Sequence, residues 1–167
     1  MGRKRQPESR NREEIPTPLI LGADFIPKYT TESGRKIRWR ILENVPPTKF
    51  YIGDLESVLF LKGKETGVYG EVMRERAVKL QANLGLADLK RVYDQWATLP
   101  PKLWNRPLVF PGTLFFNPQN GGKYVLYINR LPDRCKVNFC RVDDKVEWPG
   151  HSRLLRPKFV RKTLKRS

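Results

Sequence analysis

The sequence predicts an α+β protein, with a helical N-terminal and middle region followed by a small C-terminal β-barrel. Apolar residues recur at helical spacing through the middle: Met73, Ala77, Leu80 and Leu84 form one stripe, and Leu89, Val92, Tyr93 and Trp96 another. Beyond Pro111 the pattern changes to short apolar runs separated by turn residues, the mark of consecutive strands. Positive charge is concentrated in the same part of the chain. The 61 residues from Pro107 carry thirteen Lys/Arg and four Asp/Glu, a net +9 out of +16 for all 167 residues.

Taken in order, residues 1–14 are polar, mixed in charge and without periodicity, and read as a disordered arm. Residues 15–106 read as mostly helical, with an extended segment at their start. In that segment Arg35 to Leu42 alternates basic and apolar residues, so a strand places Ile37, Trp39 and Ile41 on one face. Asp54 is a candidate N-cap for a helix from Leu55 to Leu61, its carboxylate accepting an orphan amide. Gly67 and Gly70 precede a better helix from about Glu71 to Leu84, with Gly85 just past its end. Asp88 is placed to cap the next helix, which Pro100-Pro101 closes. The two helices predict a plain helical hairpin. A DNA-reading pair would want a small residue four positions before Gly85, where Gln81 stands.

Residues 107–160 make up the predicted barrel and 161–167 a basic tail. The strands expected are Thr113 to Phe116, Tyr124 to Ile128, Cys135 to Arg141 and Lys145 to Trp148. A closing segment, Ser152 to Leu155, is either a single 3₁₀ turn or a last short strand. Pro118-Gln119-Asn120-Gly121-Gly122 supplies a turn. Several short strands in about fifty residues bury their apolar faces most economically by curling into a barrel. With Gly112 to Phe115, Lys123 to Ile128, Cys135 to Phe139, Val146 to Trp148 and Ser152 to Pro157, this region resembles an SH3-like barrel. The variety it is most similar to is the basic barrel at the C-terminus of many integrases and transposases. The resemblance covers about a third of the chain and implies a small barrel able to touch nucleic acid; nothing upstream resembles the acidic catalytic core of those enzymes.

Composition narrows the function classes. A pI near 10.2 attracts polyanions, and nucleic acid is the first partner expected. No apolar run approaches the roughly 20 residues of a membrane span, and no signal-like stretch follows the first basic residues. Two cysteines are too few for a disulfide framework, which points to an intracellular setting: cytoplasm, nucleoid or nucleus.

The nucleic-acid contacts expected from the pattern are Arg35, Lys36, Arg38 and Arg40 upstream. In and beyond the barrel they are Lys136, Arg141, Arg153, Arg156, Lys158, Arg161 and Lys162. Salt links from these to phosphate are largely independent of sequence. Tyr124 and Tyr127 are the candidate stacking platforms; three apart in a strand, they face opposite ways. Phe139 and Trp148 are expected in the core.

No metal site, cofactor site or catalytic constellation is expected. Cys135, Cys140 and His151 fall short of four zinc ligands, and the odd offset of the cysteines puts them on opposite faces of a strand. Gly63 to Gly67 lacks the spacing of a phosphate-binding loop, with Glu65 where the hydroxyl belongs. Asp143 and Asp144 are adjacent at a turn and diverge. The leading expectation is a non-enzymatic, nucleic-acid-binding accessory protein with a protein partner in a larger complex. The alternatives are an adaptor or scaffold subunit of a nucleoprotein assembly, and a mobile-element regulator of DNA transactions.

Overall fold

A computed structural model describes residues 39–145 and 147–158. The N-terminal arm, Arg35, Lys36, Arg38, Val146, Arg161 and Lys162 lie outside the described residues.

The strands are β1 (Arg40–Asn44), β2 (Leu55–Val58), β3 (Gly67–Tyr69), β4 (Leu108–Phe116), β5 (Lys123–Arg130), β6 (Cys135–Arg141), β7 (Glu147–Pro149) and β8 (Arg153–Pro157). The helices are α1 (Gly70–Lys79) and α2 (Leu86–Asp94), with 3₁₀ turns at Ile52–Asp54, Trp96–Thr98 and Pro101–Asn105. Strand outweighs helix, so the expected fold class is corrected: the middle of the chain is not a helical region ahead of a separate sheet. The main sheet is mixed, ordered β2-β8-β4-β5-β6, and β1 joins it on β4; β3 and β7 form a second, two-stranded sheet.

The segment Leu55 to Leu61 is the clearest departure. It begins as strand β2, antiparallel to β8 with Ser57 opposite Leu155. Asp54 caps no helix; it ends a 3₁₀ turn, and its carbonyl accepts the Lys158 amide at 2.7 Å. A local capping signal loses here to a ladder made with residues a hundred positions away.

β4 organises the sheet. All but the last of its nine residues are buried, the pattern of a strand covered on both faces. β5 pairs with both ends of β4, and the other edge of β4 is shared. β8 runs parallel to Leu108–Val109, and β1 runs antiparallel to Thr113–Phe116. Between these partners the strand bulges at Pro111-Gly112. Phe110 pairs with Leu126 and Phe115 with Tyr124, so β4 carries three residues more than β5 over this interval. An odd excess reverses the alternation, which brings Phe110 and Phe115 onto the same face. Proline tolerates this position because no ladder amide is required of it.

Each face carries its own core. One holds Leu108, Phe110, Phe115, Leu126, Ile128, Val137 and Leu155 under Leu89 and Val92 of α2, together with Trp39, Leu99 and Leu103. The other holds Val109, Leu114, Val125 and Leu154 under Met73 and Ala77 of α1, closed by Val68 and Trp148 of the β3–β7 pair. The expected helical hairpin is therefore corrected too: α1 and α2 pack on opposite faces of the sheet.

The chain passes from one face to the other at the β4 bulge. α1 ends at Lys79, earlier than its apolar stripe suggests, because Gln81 takes a left-handed φ of 55°. Its amide donates to Val78 O at 3.1 Å and the Ala82 amide to Ala77 O at 2.9 Å, satisfying the last carbonyls of the helix. The segment then crosses beside Gly112, whose amide donates to Leu84 O at 2.8 Å. Gly85 is the N-cap of α2 rather than the end of α1. Asp88 serves the same helix from its third position, accepting the Gly85 amide at 3.2 Å and the Thr48 amide at 2.9 Å while fully buried. Thr113 completes the junction: its hydroxyl accepts the Leu86 amide at 2.8 Å and donates to Asn44 Oδ1 at 2.7 Å.

Gly112 leaves no room at the crossing. A Cβ there falls 2.5 Å from Asn83 O and 2.8 Å from the Leu84 carbonyl carbon, both backbone atoms that cannot turn aside. Gly112→Ala is expected to cost about 1–3 kcal/mol by overpacking. Gly53→Ala meets nothing within 4 Å and is expected to be nearly neutral. Urea denaturation of the two variants checks this.

Candidate functional site

The arginines fall into two groups. Some are pins that hold loops through backbone carbonyls. Arg91 donates to Thr48 O at 3.1 Å and Phe50 O at 2.6 Å, and lies over the Phe50 ring. Arg76 donates to Phe60 O at 2.9 Å and grips Glu65 through both nitrogens. Those bonds, with the Lys62 amide, hold the Glu65 carboxyl down at about 2. Arg74 bridges Glu43 at 2.5 Å. Arg156, expected at the interface, also acts as a pin: it pairs with Glu56 at 2.7 Å and donates to Leu80 O at 2.9 Å.

The other expected contacts are spread over the sheet. Arg40 is half-buried at the start of β1, Lys136 is exposed on β6, and Lys158 is exposed just beyond β8. Arg141 ends β6 in an ion pair with Asp143 at 2.8 Å, which raises its pKa. Arg153 opens β8, its guanidinium donating to Gly150 O and Ser152 O. Tyr124 and Tyr127 are both half-buried and belong to opposite faces. Tyr124 stands edge-on to Trp39, 5.0 Å between centroids, and its hydroxyl accepts from Asn120 Nδ2 at 2.8 Å. Phe139 stacks on Trp39 at 3.8 Å, and Trp148 is buried with Nε1 donating to Arg141 O at 3.3 Å.

Part of this set converges on a cleft of about 380 Å³ on the α1 face of the sheet. β5 and β6 form its floor with Tyr127, Asn129 and Cys140. Trp148, Pro149, His151 and Ser152 form a wall, Pro107 closes one end, and Arg141, Asp144 and Glu147 stand around it. Lys136 lies on the same face of β6 as Cys140, four residues along the strand. Asp144, read from the sequence only as a turn residue, also lines the cleft. Asp144 Oδ1 is buried with no hydrogen-bond partner among the described residues. Outside the cleft lining, Arg106 is exposed beside Pro107, whose carbonyl accepts the Arg153 amide at 2.9 Å. Burial, and then the like charge of Arg106, lower the Arg153 pKa.

Cys135 and Cys140 belong to the two different cores, as their odd offset implies. Burial pushes the Cys140 thiol up to about 11, with the Asp144 charge adding to the rise. Burial likewise raises Tyr127. The Cys140 thiol is therefore protonated near neutrality and is a poor nucleophile.

Comparison of the chain with protein-family models, curated proteins and solved structures gives no match. Among the described residues, no helix is long and apolar enough to cross a membrane.

The thiol makes a direct check on the cleft. At about pH 8, alkylation of Cys140 in the folded protein is expected to be far slower than that of an unperturbed cysteine, and to accelerate as pH rises toward its raised pKa. Mass-spectrometric mapping of labelled peptides over a pH series measures it.

Proposed function

We propose that this chain is a non-enzymatic, nucleic-acid-binding accessory protein that contacts the phosphate backbone through a basic surface. The observation that carries the reading is charge: 33 Lys/Arg against 17 Asp/Glu, with the excess densest from Pro107 onward. Such a field draws polyanions by counterion release without demanding any base sequence.

The contact residues in this reading are Arg40, Lys136, Arg141, Arg153 and Lys158, together with Arg35, Lys36, Arg38, Arg161 and Lys162. Arg141, Arg153 and Arg156 contribute to the field with guanidiniums that also hold partners within the chain: Asp143 for Arg141, Gly150 O and Ser152 O for Arg153, and Glu56 and Leu80 O for Arg156. Burial keeps the Cys140 thiol protonated, which makes it a poor nucleophile and is in keeping with a binding role.

The full chain is expected to retard generic single-stranded or duplex nucleic acid at low salt. With six to ten phosphate contacts, affinity falls by about 10³–10⁵ between roughly 50 and 200 mM salt. Fluorescence anisotropy over a salt series measures it. No binding at low salt, or an affinity flat across that range, contradicts the proposal.

A further inference from the structure

Two tryptophans stand at the rim of the core under α2. Trp96 continues the apolar stripe of α2 in the sequence, yet the helix ends at Asp94 and Trp96 opens the 3₁₀ turn Trp96–Thr98. Trp104 lies in the next 3₁₀ turn, Pro101–Asn105. Buried Leu99 and Leu103 anchor this stretch in the core. The Thr98 hydroxyl donates to Gln95 O at 2.8 Å and the Leu103 amide to Pro100 O at 2.9 Å, which fixes the turns from within. Both indoles are half-buried, packed against the core on one side. They meet edge to face, 6.3 Å between centroids with their planes at 80°.

Positive charge accompanies the pair. Arg130, exposed at the end of β5, holds its guanidinium carbon 6.0 Å from the centroid of the Trp96 ring. It forms no ion pair among the described residues. Lys102 is exposed two positions before Trp104 in the same turn. From Gln95 to Pro132 the sequence has no Asp or Glu, against Lys102, Arg106, Lys123 and Arg130. Asp94, just ahead of that stretch, is held by Lys90 at 2.9 Å.

Half-exposed indoles leave apolar ring surface in water, and a partner that covers it gains both burial and stacking. Flat rings carried on a regularly charged anionic chain match this surface in both respects. We propose that Trp96 and Trp104 form a stacking platform for unpaired bases of a nucleic-acid strand, with Arg130 and Lys102 meeting the phosphates beside them. A duplex keeps its base faces covered by their neighbours, so the platform favours single strands. A membrane anchor instead needs rings that reach roughly 5–10 Å into lipid, and these lie back against the core. The inference rests on the nucleic-acid reading and names its ligand as unpaired strand.

The test compares binding of the full chain to an oligothymidine and to an abasic deoxyribose-phosphate strand of equal length at low salt. Both carry the same phosphates, so a surface that meets phosphate alone binds them equally. The oligothymidine is expected to bind about tenfold more tightly, the scale of one stacked base. It is also expected to shift the indole N–H resonances of Trp96 and Trp104 while those of buried Trp39 and Trp148 hold still. Trp104→Leu is expected to bring oligothymidine down to the abasic affinity, and Arg130→Gln to weaken both strands alike. The wild-type comparison and the resonances decide the matter even where Trp104→Leu fails to fold. Equal wild-type affinities, unmoved Trp96 and Trp104 resonances, or a folded Trp104→Leu that keeps the preference overturns the platform, while salt-dependent binding of both strands leaves the surface reading standing. Oligoglutamate that shifts the same two resonances as strongly assigns the patch to an acidic protein and overturns the platform as well. If neither strand binds, both readings fall.

Discussion

The fold depends on one close approach: the backbone at Asn83–Leu84 crossing against Gly112. β4 has to serve β8 along one half of its edge and β1 along the other, and the bulge at Pro111-Gly112 divides the two. That division is also where the chain changes sides, taking α1 to one face and α2 to the other. The Gly112 amide and carbonyl, which have no strand to pair with, are met by Leu84 O and the Val45 amide at 2.8 and 3.1 Å. A side chain at this position separates these groups. Asp88 and Thr113 reinforce the crossing from within the core, each bonding to the first turn of α2 or its cap while reaching a second segment.

The function proposed rests on what this crossing leaves over. With both faces covered, the open part of the sheet is at the β5–β6 side, where α1 does not reach Tyr127, Asn129 and Cys140. β7 stands against that opening because Val68 pairs with Trp148 and the indole bonds to Arg141 O. The cleft is therefore a product of how two small β-elements meet, and Arg141, at the end of β6, is the arginine in its lining.

Legibility followed the range of the interactions. The strands after Pro111 were readable because their apolar runs and turns are local, and α1 and α2 because their stripes repeat at helical spacing. Residues 55–58 were not readable: Asp54 followed by Leu55, Glu56 and Ser57 carries a sound capping signal, and only the β8 ladder overrides it. The end of α1 was misplaced for a related reason. Gly85 resembles a helix terminator, whereas Gln81, a poor residue for positive φ, takes that position under the demands of the crossing. Among the charges, net excess was plain from composition. The partners of Arg74, Arg76, Arg91 and Arg156 were not, since Arg74, Arg91 and Arg156 each bond at least one partner more than thirty positions away and Arg76 reaches Phe60 and Glu65 across a turn and a strand. Asp144 was legible as a turn residue, but its orphan oxygen depends on packing that no spacing rule encodes.

Native-state hydrogen exchange tests the central claim most directly, that one crossing at Gly112 ties both faces of the sheet into a single cooperative unit. The account predicts that the Gly112 amide exchanges only through global unfolding, and that amides under α1 and under α2 lose protection together as denaturant is raised. Fast exchange at Gly112, or loss of protection on one face well before the other, would contradict it.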